Sequence, residues 1–318
     1  MLVQILILLA GLALVVFGAD YLVDGSSDIA RRAGLSEFVI GLTIVGIGTS
    51  MPELVVSFLG AIQGNADISI GNVVGSNIFN VLLILGVTAL IRPMEITRIN
   101  RIKDIPLNLA VTILLVLVGF KNTFFGWGTA DEIGRLEGIV FLVIFIAYLV
   151  YSFKSDKPDE EETAAPENSL FLSLLMVAGG LAALIYGGRL FVNAATAVAR
   201  LAGLSDAFIA ITILAGGTSM PELATCIVAA LKKRGQMALG NIIGSNISNI
   251  LLILGGSAVI HPLSFSGMGL VDIGMLLLSA LLVCGGAYIG KHRHLGRKSG
   301  TLMLLCEAVY FTYLILHL

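Results

Sequence analysis

The chain has 318 residues, of which 57% are hydrophobic and 13% charged, and a mean hydropathy of +0.98. This excludes a soluble globular domain: apolar runs of about 18 residues or more are what a helix needs to cross a bilayer. A net charge of −2 points to no particular partner, and neither nucleic acid nor an obligate protein partner is expected.

Ten apolar segments follow one another, and the fold class expected is an all-α integral membrane protein of ten transmembrane helices. The first, 2–22, has no basic stretch before it and reads as a spanning helix, not a cleaved signal. The second, 37–62, carries Gly46, Gly48 and then Gly48-Thr49-Ser50-Met51-Pro52-Glu53-Leu54. Pro52 lacks an N–H and clashes with the carbonyl of Gly48, so the helix should break there. A broken backbone at membrane depth is tolerated where it lines a cavity or packs on protein. The freed carbonyls become oxygen ligands, and Glu53 falls in the first turn of the following half-helix, where the dipole favours negative charge.

The third segment, 68–91, sets Asn72, Ser76 and Asn80 on one face. Segments four and five, 105–120 and 136–153, carry no comparable polar set. The stretch 154–169 is rich in Glu, Asp, Pro and Ala and reads as a solvated linker with no room for a regulatory domain. It separates a first unit, 1–153, from a second, 170–318.

The second unit begins with segment six, 170–192. Segment seven, 206–231, repeats the motif as Gly217-Thr218-Ser219-Met220-Pro221-Glu222-Leu223, and segment eight, 237–260, repeats Asn72, Ser76 and Asn80 as Asn241, Ser245 and Asn249. Residues 31–86 align without a gap on 200–255 at a constant offset of 169, with about half the positions identical. Segments nine and ten are 270–290 and 300–317. Cys226, Cys284 and Cys306 lie inside apolar segments at no metal-binding spacing and imply no disulfide framework.

Sorting Lys and Arg by loop puts fifteen in the odd-numbered connections and three, Lys121, Arg135 and Arg200, in the even-numbered ones; Arg189 lies within segment six. The positive-inside rule then places both termini outside and the 154–169 loop in the cytoplasm. Because each half has an odd number of segments, the second copy enters from the opposite side, giving two five-helix inverted-topology repeats with a substrate site between them at mid-membrane.

A glutamate at mid-membrane costs several kcal/mol to bury and marks a functional site by default. Two symmetry-related ones, Glu53 and Glu222, make an ion site the leading reading. Asn72, Asn77, Asn241 and Asn246 read equally well as ion ligands or as interhelical hydrogen-bond formers. Carboxylate, hydroxyl, amide and carbonyl oxygens without a His or Cys cluster argue against zinc and copper and suit calcium or sodium. Removing a divalent cation leaves a buried pair of negative charges, which sodium ions or protons must cover before the site reorients. No cofactor is expected beyond the transported ions.

These paired motifs resemble the cation/calcium antiporter superfamily, in its sodium/calcium exchanger branch and prokaryotic type. The proton/calcium branch centres its repeats on Gly-Asn-x-x-Glu, whereas Gly75 and Gly244 stand at that Glu position here. The resemblance implies Na+/Ca2+ antiport by alternating access, normally exporting Ca2+, in a prokaryotic cell membrane. It assigns calcium to Glu53 and Glu222 with the Thr49 and Thr218 carbonyls, and sodium to Ser50, Ser76, Ser219 and Ser245 with the carbonyls of Gly46 and Ala215. Asn80 and Asn249 match the remaining central positions; Asn249, where potassium-dependent relatives carry Asp, makes potassium co-transport less expected.

The resemblance also implies that segments one and six slide across the other eight, to which the glycines Gly11, Gly18, Gly179, Gly180, Gly187 and Gly188 are suited. Asp20, Asp24 and Asp28 read as a wet face on segment one. The alternatives are a Ca2+/H+ or K+-linked exchanger on the same fold, a cation channel, and an intramembrane enzyme using Ser50 or Ser219 as nucleophile. The last lacks a nearby His to activate the hydroxyl.

Overall fold

The computed structural model describes residues 1–128, 130–156, 165–203, 216–289 and 294–317. Helix α1 spans Leu2–Ala33 and ends at Gly34, whose left-handed φ of 63° is the usual stop for a helix. Ser36 caps the next helix, accepting from the Val39 amide. That segment is two pieces, α2 (Glu37–Thr49) and α3 (Met51–Ile62), bent by 48° at Ser50. The break falls where Pro52 removes the amide that would bond Gly48, as the sequence demands.

Helix α4 (Ala66–Ile91) and α5 (Asn100–Gly119) follow, then the short α6 (Lys121–Phe125) and α7 (Arg135–Ser155). After residues 157–164, which lie outside the described part, come α8 (Leu170–Leu201), α9 (Met220–Leu231), α10 (Gly235–Ile260), α11 (Leu270–Ile289) and α12 (Arg297–Leu316). Among the described residues, eight helices are long and apolar enough to cross a membrane, and the bent α2–α3 pair makes a ninth. The expected seventh segment, 206–231, is represented by the 12-residue α9; residues 204–215, including Ala215, lie outside the described part.

Among the described residues, four two-residue strands tie the connections together. β1 (Met94–Glu95) pairs with β4 (His294–Leu295), and β2 (Glu132–Ile133) pairs with β3 (Leu263–Ser264). The connections that follow α1, α4, α7, α9 and α11 converge on the β1–β4 end. There Ser36 bonds Asp156, the backbone amides of Glu167 and Asn168 bond Asp28, Arg234 pairs with Glu37, and Gln236 donates to the Glu95 carbonyl. At the other end Asp67 lies against Gly267, close to β2–β3. The basic loops singled out by charge therefore share one end.

The centre is α10, with 89% of its apolar window buried against 22% for α1. It packs so tightly on α2 that a Cβ at Gly240 or Gly244 would lie 2.2 Å from the Phe38 or Leu42 carbonyl. Within α4 and α10 the helix widens to a π turn starting at Asn80 and at Asn249, over Asn80–Leu85 and Asn249–Leu254. Such turns occur often at functional sites.

Helices α1 and α8 have 32 residues each. At 1.5 Å rise this is about 48 Å, longer than the ~30 Å apolar core of a bilayer. Their glycines correct one expectation. A Cβ on Gly18 would lie 2.8 Å from the Gly180 carbonyl, and one on Gly187 would lie 2.9 Å from that of Gly11. Gly179 touches nothing and is exposed. The stripe joins α1 to α8 backbone to backbone, instead of smoothing their contact with the other helices.

A second correction concerns Asp28. Of the expected wet face, Asp20 and Asp24 keep 48% and 35% of their side-chain surface exposed, but Asp28 is buried. Lys232 pairs with Asp20 at 2.6 Å and with Asp24 at 2.8 Å. Asp28, 3% exposed, accepts from the amides of Glu167 and Asn168. Burial works against the Lys232 charge, but its hydrogen bonds to the two aspartates outweigh this and hold the ammonium above its usual lysine value. Both ends of the 154–169 linker are thus docked on α1 and Ser36, and α7 runs on to Ser155.

Candidate cation-binding site

The residues that open α3 and α9 have the same local geometry. Ser50 and Ser219 are their N-caps, with φ/ψ of −80/9° and −87/9°. Pro52 and Pro221 follow in the first turn, where a missing N–H is harmless, and Glu53 and Glu222 come next. Both glutamates are 1% exposed, and each sits at the positive end of a helix dipole.

The hydroxyls of these two serines cross over between the halves. Ser50 Oγ donates to Glu222 Oε1 at 2.9 Å, and Ser219 Oγ donates to Glu53 Oε1 at 3.1 Å. Ser76 Oγ adds a second donor to Glu53 Oε1 at 3.3 Å. Thr218 lies beside Glu53 and Thr49 beside Glu222. Each carboxylate is thereby held by one oxygen, leaving Oε2 of Glu53 and Oε2 of Glu222 buried without a partner.

The asparagines are arranged on the same plan. Asn80 Nδ2 donates to Asn246 Oδ1 at 3.1 Å, and Asn249 Nδ2 donates to Asn77 Oδ1 at 2.9 Å. Asn77 Nδ2 donates in turn to the Asn246 carbonyl at 3.2 Å. Residues 77 and 246 are repeat mates, and mates can touch only at the axis that relates the two halves. With their amide nitrogens engaged across this axis, Asn80 and Asn249 keep their Oδ1 atoms buried and unpartnered. Two symmetry-related pairs of oxygens, two from carboxylates and two from amides, are therefore left without donors. Buried polar atoms are normally paired, so four such exceptions in one symmetric set need a ligand to explain them.

The remaining expected residues are placed as follows. Thr49 Oγ1 donates to Asn241 Oδ1 at 3.2 Å. Ser245 Oγ donates to the Gly46 carbonyl at 3.1 Å, which also accepts from the Ser50 amide at 3.2 Å. Gly46 is therefore engaged within the protein, and Ser245 does not repeat the Ser76–Glu53 contact. Asn72 braces the Glu53 carbonyl and Ser57, while Asn241 braces Thr49 and Cys226. Asn72, Asn77, Asn241 and Asn246 thus each hydrogen-bond another residue around the site.

Chemically, the four free oxygens form a hard-donor set carrying up to two negative charges. Calcium takes six to eight such oxygens in flexible geometry, and sodium accepts the same donors. The two carboxylates lie close enough to interact electrostatically, so together they favour a cation that offsets both.

Comparison with known proteins agrees with this chemistry. The family described as "Sodium/calcium exchanger protein" matches residues 3–154 and 172–317. The putative antiporter CaxA of Alkalimonas amylolytica is 37% identical over 98% of both chains. The sodium/calcium exchanger MaX1 of Methanosarcina acetivorans is 37% identical, covering 88% of this chain and 90% of its own. The solved structure of the sodium–calcium exchanger NCX_Mj, soaked with Na+ and Ca2+, superposes with a TM-score of 0.84 at 33% identity, over 98% of both chains.

Proposed function

The chain belongs to the sodium/calcium exchanger family, and we propose that it is a secondary antiporter exchanging Na+ for Ca2+ by alternating access, normally exporting Ca2+. The observation that carries this reading is the symmetric set of unpartnered oxygens on Glu53, Glu222, Asn80 and Asn249. Calcium binds these four, with the Thr49 and Thr218 carbonyls completing its shell. Sodium ions use Ser50, Ser219, Ser76 and Ser245 with the Gly46 and Ala215 carbonyls, so the Gly46 carbonyl must exchange its Ser245 contact for the ion.

Two buried carboxylates stripped of a divalent cation carry an uncompensated charge that opposes reorientation. Sodium ions relieve it, which links each outward movement of calcium to an inward movement of sodium. The moving body is the α1–α8 pair, joined by its glycines and tethered at the basic end by Lys232 to Asp20 and Asp24.

Ten spans in two inverted five-helix repeats fit this scheme. In support, α4 starts at the β2–β3 end and α10 at the β1–β4 end. The excess of Lys and Arg at the β1–β4 end supports placing that end in the cytoplasm of a prokaryotic cell and both termini outside.

The test is calcium-45 uptake into proteoliposomes loaded with sodium and diluted into sodium-free buffer, with potassium- and proton-gradient controls. The expected result is uptake that needs internal sodium and vanishes in folded Glu53→Gln and Glu222→Gln proteins. Uptake that persists in either variant overturns the site, and uptake that follows a proton gradient instead of sodium overturns the choice of counter-ion.

A further inference from the structure

Glu307 is a buried acidic residue that neither the repeats nor the proposed exchange uses. It stands in the middle of α12, outside both duplicated motifs, within the apolar run Leu302–Leu316. It is 4% exposed, and its Oε2 has no hydrogen-bond partner. Such a residue within a span is functional by default, because an unmatched carboxylate there is costly.

The packing of α12 fixes its depth. Arg297 Nε donates to the Leu90 carbonyl, and a Cβ on Gly300 would lie 2.7 Å from the Gly86 carbonyl. The two helices are therefore antiparallel. Two turns further along α12, and two turns back along α4, Glu307 comes level with Phe79 and Asn80. The carboxylate thus lies at the depth of the central ligands, on the opposite side of α4 from α10.

A cavity of about 280 Å³ connects it with that centre. Its described lining includes Glu307 and, from the ion site itself, Asn72, Ser76 and Thr218. It extends along Phe311 and Leu314 toward the β2–β3 end, where α4 begins and α12 finishes. Among the described lining residues there is no Lys, Arg or His, so none of them offsets the charge of Glu307. Tyr310, on the same wall, directs its hydroxyl to Asp272 at 2.6 Å instead.

We infer that Glu307 and this cavity form a staging subsite for the transported metal cations, between the central site and the β2–β3 end of the protein. Glu307 supplies the negative charge, and the Ser76 and Thr218 hydroxyls and the Asn72 amide oxygen supply neutral oxygens along the way to Glu53. The inference rests on the exchanger reading. It adds a third carboxylate that attracts cations without belonging to the occluded site.

The experiment compares wild type, Glu307→Gln and Glu307→Asp in proteoliposomes, varying Ca2+ and Na+ and following calcium-45. In Glu307→Gln the half-saturating Ca2+ concentration should rise about tenfold, the gain that a fixed charge in a low-dielectric cleft brings to its counter-ions. The rise should be smaller for Na+, since attraction scales with ionic charge. The maximal rate should stay within about twofold, and Glu307→Asp should recover most of the affinity. Unchanged half-saturation in monodisperse Glu307→Gln overturns the subsite, as does a fall in maximal rate alone or an equal defect in Glu307→Asp. Sodium-driven uptake by the wild type judges the exchanger reading separately. If it is present while Glu307→Gln behaves normally, only the subsite fails.

Discussion

Replacing Asn246 by alanine isolates what the crossed amides contribute. Asn246 is 3% exposed and has two roles: its side-chain oxygen accepts from Asn80 Nδ2 at 3.1 Å, and its backbone carbonyl accepts from Asn77 Nδ2. Alanine keeps the second contact and removes the first. The Asn80 amide then loses the acceptor that orients it, and an unsatisfied buried N–H costs about 1–3 kcal/mol. Rotation of the amide relieves that cost by turning the nitrogen toward the free Glu53 or Glu222 oxygens, and Oδ1 away from the cation. Calcium binding must reverse the rotation, so the half-saturating Ca2+ concentration should rise about 5- to 150-fold. Calcium-45 exchange measured across a range of Ca2+ concentrations reads this directly, with size-exclusion profiles to establish folding. A folded Asn246→Ala protein whose Ca2+ half-saturation stays within twofold of wild type would refute the argument that Asn80 is a ligand held in place by its partner.

Four other substitutions probe the remaining geometry. Gly180→Ala would bring a Cβ to 2.7 Å from the Gly18 carbonyl and 2.8 Å from the Leu22 amide; since backbone cannot yield as a side chain does, it should lower stability by about 1–3 kcal/mol. Gly179→Ala, on the exposed face, should cost nothing in the same thermal melts, and equal melting of the two variants would remove the glycine seam from the account. Lys232→Met deletes two partly exposed ion pairs and should cost about 1 kcal/mol or less per pair. Because Lys232 is held above its usual lysine value in the folded protein, its contribution is present below that range and lost as pH rises through the raised value. The gap to wild type should therefore stay flat between about pH 6 and 9, and a gap that closes within that window contradicts the assignment. Asn249→Asp sets a carboxylate oxygen where Nδ2 now lies 2.9 Å from Asn77 Oδ1. Two acceptors face one another unless a proton or an extra cation intervenes, so exchange should gain proton or potassium sensitivity, and unaltered ion dependence would place residue 249 outside the site.

Several features of this molecule were legible along the chain because they depend on neighbours in sequence. Pro52 breaks its segment by removing one amide and crowding the Gly48 carbonyl, a local effect, and the 48° bend at Ser50 follows. The sorting of Lys and Arg by connection anticipated which loops share an end. Helix limits were less well marked. The apolar pattern of α1 and α8 fades into small and polar residues that look like loop but pack as helix through glycine contacts, so both run to 32 residues. Asp28 reads as solvated because its partners, the 167–168 backbone amides, are far away in sequence. Glu307 carried a signal that went unused: one acidic residue in an apolar segment. It was overshadowed by two glutamates that a repeat made conspicuous.

By itself the sequence determined that the protein is a duplicated, membrane-spanning helical chain with a proline-interrupted motif and a carboxylate in each copy. Composition, proline chemistry and a fixed repeat offset are one-dimensional properties, readable without knowing what packs on what. Only the tertiary structure decided which oxygens are free to meet a cation. The asparagine amides could face either way, and the choice is made by partners 166 and 172 residues distant on the other half of the molecule. A hydrogen bond needs its donor and acceptor within about 3 Å, and only the folded pairing of the two halves brings these groups that close.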